Sequence, residues 1–249
     1  MTRHFIPQLG PEPTSPFPDP AAATHPEGLL AWGGDLHPQR LLHAYRRGIF
    51  PWYENPPILW WSPSPRAVLF PDHIHISRRL RRTLRGHACR LSMDEDFAGV
   101  IDGCAGPRAE QAGTWITPEL RAAFLELHAM GHAHSLEVWN DEQLAGGVYG
   151  LGQGKIFFAE SKFHRQRDAS KIALVALMHA LRRWGFLLAD CQVWNPHLER
   201  MGVRLLSADQ FQALLAEGIR RQDLVRCWHD RFARLAISPG ELAEAGSAV

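Results

Sequence analysis

Eight residues from Phe186 to Val193 (FLLADCQV) are too apolar to lie at the surface, and Gly185 parts them from the longest helical stretch in the chain, Asp168 to Trp184. That stretch puts Leu174, Leu177, Met178 and Leu181 on one side. A helix with one apolar face, stopped by a glycine and followed at once by a buried strand, commits the chain to a sheet with helices packed on it. The strand carries Asp190 and Gln192 in its second half. Residues i and i+2 of a strand share a face, so the two are predicted to point the same way. A buried ionised carboxylate is costly unless hydrogen-bonded. Asp190 is therefore either a structural group tying down a neighbouring loop or helix, or a group held ready for chemistry, and spacing leaves both readings open.

The chain before this point is uneven. Residues 1–27 hold seven prolines, which predicts an extended arm packed on, or draped over, the body. Asp35 and Pro38 suit the start of a helix running to Arg47, with Gly48 as its stop. Phe50, Trp52, Tyr53, Trp60, Trp61 and Phe70 then alternate with prolines, giving a rigid, loop-rich segment. These rings serve equally as a small aromatic core or as a stacking platform for a base. Leu91 to Met93 reads as a strand, Asp94 or Asp96 as the start of a helix from Phe97 to Cys104, and Thr117 as the cap of a helix closed by Gly131. Ala133 to Trp139, Gln143 to Tyr149 and Lys155 to Ala159 read as an antiparallel meander, with Gly150, Gly152 and Gly154 at its second turn. After the central strand, Asn195 and Pro196 open a short helix to Met201, and Ser207 with Gln210 forms a capping box for a helix to Glu217. Disorder is expected beyond Ser238.

Charge narrows the partners. The net charge is +1, so an anionic partner requires a local patch, and the run Ser77 to Arg85 supplies one with five arginines in nine residues. Arg78, Arg79, Arg81 and Arg82 form either a solvated helix face or a backbone contact for nucleic acid. His128, His132 and His134 look at first like metal ligands, the first two being four apart, yet Gly131 falls between them, no carboxylate completes a zinc signature, and the four cysteines show no CxxC pair. No metal site, disulfide framework or membrane span is expected, and a cytoplasmic location follows from cysteine usage and the missing signal peptide.

The predicted order of helix, three-strand meander, long helix, buried strand and short helix is mixed α/β (α+β). It resembles the acyl-CoA N-acyltransferase fold, placed after a small loop-rich N-terminal domain. The expected division is an arm at 1–27, a small aromatic-rich domain at 28–71, the acyltransferase-like domain at 72–237 and a tail at 238–249. In that fold a glycine-rich turn before the long helix binds the coenzyme A pyrophosphate. Here residues 163–170 contain no glycine, which argues against coenzyme A.

The runs WGGDL (Trp32 to Leu36), GIFPWY (Gly48 to Tyr53), LWWSPSPRAVL (Leu59 to Leu69), GTWIT (Gly113 to Thr117), GHAHSLEVW (Gly131 to Trp139), AESKF (Ala159 to Phe163) and DCQV (Asp190 to Val193) resemble the leucyl/phenylalanyl-tRNA–protein transferases. The resemblance implies transfer of leucine or phenylalanine, and less well methionine, from aminoacyl-tRNA to proteins beginning with arginine or lysine, marking them for N-end-rule degradation. It implies Asp190 and Gln192 as the catalytic pair and Trp52 and Trp115 as contacts to the terminal adenosine. Val148, Phe157, Leu174 and Leu177 would line the donor side-chain pocket, with Glu160 and Ser161 at its rim. No cofactor or metal is implied, because the donor ester is already activated. Ala159, Lys162 and Val148 depart from the residues usual in the family at those positions. Two rivals remain: a coenzyme A dependent N-acetyltransferase, and a non-catalytic tRNA-binding module.

Overall fold

The computed structural model describes residues 5–23, 25–86, 88–106, 114–223 and 227–245. Its N-terminal part is a four-stranded sheet in the order β1-β2-β4-β3, made by β1 (Gln8–Leu9), β2 (Leu29–Gly33), β3 (Phe50–Pro51) and β4 (Leu59–Trp61). The proline-rich arm is thus part of the architecture. It contributes β1, and Phe17 packs edge-on against buried Trp60 with ring centroids 4.9 Å apart. Helix α1 (Pro38–Tyr45) is capped by His37, whose ring Nδ1 accepts from the Gln39 amide. Asp35, the cap expected from the sequence, instead accepts from the His37 amide and pairs with Arg40 at 3.1 Å. Arg40 is fully buried beneath the arm and also donates to the carbonyls of Gly10 and Pro11.

The second sheet has seven strands in the order β11-β5-β10-β9-β8-β7-β6. They are β5 (Arg66–Leu69), β6 (Arg90–Met93), β7 (Ala133–Asn140), β8 (Gln143–Gln153), β9 (Ile156–His164), β10 (Leu188–Asp190) and β11 (Arg204–Leu206). Among the described strands of this sheet only β9 and β10 pair in parallel; their connection contains the long helix α5 (Ala169–Arg183), as a crossover between parallel strands requires. The remaining helices are α2 (Arg78–Gly86), α3 (Phe97–Ala105), α4 (Pro118–Ala129), α6 (Pro196–Glu199), α7 (Ala208–Arg220), α8 (Trp228–Ala233) and α9 (Pro239–Ala245). Buried residues of α2, α5, α8 and α9 form one core with the sheet. Those of α1, α3, α4 and α7, with the small sheet, form a second. The fold is mixed α/β with helices on both faces.

Several expected boundaries move for physical reasons. β8 runs straight through Gly150 and Gly152, and only Gly154 turns. The strand glycines are there for room: a Cβ on Gly150 would lie 2.1 Å from the Phe158 carbonyl oxygen. β9 continues to His164, carrying the AESKF run within the strand. β10 stops at Asp190, because Gln192 has a φ of 57° and leaves the extended conformation. β5 lies inside the interval expected to be the small domain, yet it pairs with β10 and β11 in the large sheet. Pro239–Ala245 form α9, whose Leu242 and Ala243 are fully buried, where disorder was expected; the rest of the expected tail, 246–249, lies outside the described residues.

Candidate active site

The site begins at the end of β10. Asp190 is completely buried, and Arg66 of β5 grips it with two parallel hydrogen bonds, Nε to Oδ1 at 2.8 Å and Nη2 to Oδ2 at 2.6 Å. The guanidinium lies between the Phe50 and Phe211 rings, 4.9 and 4.6 Å from their centroids. A bidentate pair held between two ring faces fixes a charge in one place. Asp190 Oδ1 also accepts from the backbone N–H of Gln192 at 2.9 Å. That bond steadies the left-handed turn at Gln192. The two residues therefore do not share a strand face, as alternation predicted; the carboxylate folds the backbone so that the amide beyond it is presented.

The partner of the Gln192 side chain is Glu160, whose Oε1 accepts from Nε2 at 3.1 Å. Glu160 owes its position to a β-bulge. Tyr149 pairs with Ser161 and Gly150 with Ala159, so Glu160 is the extra residue of β9, and bulges of this kind re-aim a side chain. Burial pushes its carboxyl up to about 8, with the nearby Asp190 charge adding to the shift and Tyr45 and Arg66 opposing it. The Tyr45 hydroxyl lies beside it, buried and without a well-aligned hydrogen bond.

Gln192 and Glu160 open onto a cavity of about 190 Å³. Val148, Leu174 and Leu198 give it apolar walls, with Trp115 at its edge, and Glu160, Ser161, Lys162, Gln192 and Asn195 give it a polar side. Of the predicted pocket residues, Trp115, Val148, Glu160, Ser161 and Leu174 meet here. Phe157 and Leu177 do not line the cavity; both are core residues, and Phe157 faces Trp228 at a ring distance of 5.9 Å. Trp52 stands 45% exposed against Trp61, away from the cavity lining. Gly113 of the GTWIT run lies outside the described residues. Arg66, Tyr45 and Leu198 were missed by sequence reasoning. Arg66 had a signal, since an arginine inside the apolar run RAVLF needs a buried partner.

The other predicted groups separate. Arg78, Arg79 and Arg82 are exposed on α2, but Arg81 is committed inward, its Nη1 donating to the Ala243 carbonyl of α9 at 2.8 Å. His134 bonds Asp94 at 2.7 Å and stacks on Trp228, while His128 stacks on Phe97. Among the described residues no three His, Cys, Asp or Glu side chains form a metal-binding group, and no helix is long and apolar enough to cross a membrane.

The family model described as leucyl/phenylalanyl-tRNA protein transferase matches residues 68–216, and that of its N-terminal domain matches residues 34–64. A Chromobacterium violaceum protein of that name is 50% identical over 225 residues, covering 90% of this chain and 96% of its own length. One from Stutzerimonas stutzeri is 54% identical over 201 residues, covering 80% and 89%. Among solved structures, a Bacillus licheniformis L-PGS aligns with a TM-score of 0.38 at 9% identity, over 82% of this chain and 64% of that one. On the family match and these identities, the chain belongs to the leucyl/phenylalanyl-tRNA–protein transferase family.

Proposed function

We propose that this protein moves leucine or phenylalanine, and less well methionine, from aminoacyl-tRNA to the N-terminal arginine or lysine of acceptor proteins, marking them for N-end-rule degradation. The observation that carries this is an apolar-walled cavity whose polar side is the Gln192–Glu160 pair, built on the Arg66–Asp190 clamp. The acceptor amine attacks the ester carbonyl carbon, a C–N bond forms, and the C–O bond to the ribose breaks, returning a hydroxyl to the tRNA. An α-amino group has a pKa of ~7.7–8.0 and must lose a proton to react. Because the Gln192 NH2 group is turned to Glu160, its amide oxygen is left to accept a hydrogen bond from the amine and aim it. Asp190 is neutralised by Arg66, so the carboxyl matched to the amine's own pKa is Glu160, at about 8, and its ionised form, populated as the pH approaches that value, takes the proton. Leucine or phenylalanine occupies the space beside Val148, Leu174 and Leu198, and Trp52 and Trp115 contact the terminal adenosine. Arg78, Arg79 and Arg82 contact tRNA phosphates.

The N-terminus of α5 speaks against coenzyme A. Buried Asp168 stands there at a φ of 64° and pairs with Lys171 at 2.6 Å, so a carboxylate occupies the place where a pyrophosphate would bind. Incubation with labelled Leu-tRNA and a peptide beginning with arginine tests the proposal, and labelled peptide is the expected product. Retained tRNA binding without labelled peptide in a single turnover would instead identify a binding module.

A further inference from the structure

A second cavity, of about 200 Å³, lies between the start of α2, the start of α5 and α6, and side chains that can donate hydrogen bonds to an anion line it: His75, Lys171, His197 and Arg200. No carboxylate lines it; Asp168 reaches Lys171 from α5's own N-terminus at 2.6 Å, and Arg200 pairs with no carboxylate among the described residues. The cavity adjoins the donor pocket, because two helices serve both. α5 gives Lys171 to this cavity and, one turn on, Leu174 to the donor pocket, and α6 gives His197 to one and Leu198 to the other. On the opposite side it reaches Ser77 and Leu80, within one turn of Arg78, Arg79 and Arg82. Neighbouring positive charge adds to the effect of burial on one of these side chains. Burial, and then the charges of Lys162, Lys171, Arg200 and His164, pull the His197 imidazole down to about 4. An anion placed here relieves that crowding.

We infer that this cavity is a phosphodiester subsite, which takes the backbone phosphates of the single-stranded 3′ end between the esterified adenosine in the donor pocket and the duplex on α2. The inference rests on the proposed transfer from aminoacyl-tRNA. It adds residues that neither the arginine run nor the donor pocket includes. A phosphate here contacts backbone and not base, so the subsite is indifferent to tRNA sequence and reads only that a nucleotide chain precedes the adenosine.

The test compares two short donors, leucine esterified to adenosine, which has no internucleotide phosphate, and leucine esterified to the trinucleotide CCA, which has them. Arg200→Gln and His197→Asn change side chains that are exposed and half-buried, outside the core. For the trinucleotide donor each is expected to raise KM about tenfold with kcat unchanged, and for the adenosine donor to leave KM within twofold. Equilibrium binding of the leucyl-trinucleotide across a salt series provides a second readout, in which Arg200→Gln is expected to make the slope of log K against log salt shallower by about 0.7. Unchanged KM and slope, or equal changes with both donors, would overturn the subsite. A wild-type protein that transfers from neither donor, nor from Leu-tRNA, would bring down the transferase reading, while the salt slope would still decide whether phosphate binds here.

Discussion

Two glutamates of the same sheet are drawn out of water, Glu137 on β7 completely and Glu160 on β9 in part, and desolvation raises the carboxyl pKa of both. Their surroundings differ. Glu137 is fully enclosed and accepts from two serine hydroxyls, Ser92 Oγ at 2.7 Å and the Oγ of Ser135, with the Trp139 indole bonding Ser92 in turn at 2.7 Å. Every partner is short, local and fixed by strand pairing between β6 and β7. Glu160 sits on a bulge, meets one amide at the tip of a longer side chain, and faces a cavity. Desolvation alone does not mark a functional carboxyl. What distinguishes Glu160 is an incomplete set of fixed donors beside space for a substrate.

Breaking the two carboxyls in parallel tests this directly. Glu160→Gln is expected to slow peptide-bond formation by about 10²–10⁴-fold, the usual worth of a positioned base, with the fold retained. Glu137→Ala should leave the rate within twofold yet lower stability by about 1–3 kcal/mol in urea, because its hydroxyl partners lose their acceptor. Equal rate losses in the two variants would erase the distinction. Asp190→Asn follows in size. It leaves the Arg66 charge buried without its counter-ion, so denaturation should show a loss of about 3–5 kcal/mol together with slowed transfer, whereas binding of Leu-tRNA persists. A variant as stable as the parent would mean that the clamp is not what holds the turn at Gln192.

The pH dependence of stability sharpens the contrast further. Folded Glu160 keeps its proton up to about pH 8, while in the unfolded chain it is lost near 4.5. Between those values the folded state binds more protons, so this group's contribution to stability is full below 4.5 and is lost as pH rises through 8. Glu137 gives a slope of the same sign in parent and variant alike. Glu160→Gln should therefore match the parent near pH 4.5 and melt ~2–4 °C higher at pH 8.5 for each kcal/mol recovered. Parallel melting curves across this range would refute a raised Glu160. The smallest effect concerns α2, where one residue type has two duties. Arg79→Ala should make the salt slope of tRNA binding shallower by roughly 0.7–0.9 with no change in Tm. Arg81→Ala should lower Tm, since it removes the bond to α9, and leave that slope alone.

Much of the framework was legible because local signals decide it. Thr117, the Ser207–Gln210 capping box and Gly185 bound their helices as their chemistry predicts. The expected meander is present, though Gly150 and Gly152 read as turn residues and serve instead as clearances in a long strand. The site was less legible. Asp190 and Gln192 could be picked out, but their relation could not, since it depends on a backbone turn stabilised by the carboxylate itself. Arg66 and Asp190 are 124 residues apart in the chain, and only strand pairing between β5 and β10 brings them together. α9 was missed because its PGELAEA run is too polar and short to signal a packed helix, and two buried side chains, Leu242 and Ala243, suffice to dock it.

The bulge at Glu160 acts on the strand as a phase shift. Before it, Phe157 and Ala159 lie on the face turned to α5; after it, the residue opposite Val148 is Lys162, so odd positions give way to even ones. Removing Glu160 alone would return β9 to plain alternation while leaving Ser161 opposite Tyr149 and Lys162 opposite Val148. The extra residue thus adds a carboxylate to the strand without putting the side chains on either side of it out of phase with β8. A deletion at the bulge would take the carboxylate from the site and keep the cavity wall, whereas a one-residue slip of the paired stretch beyond it would exchange the two faces of the strand.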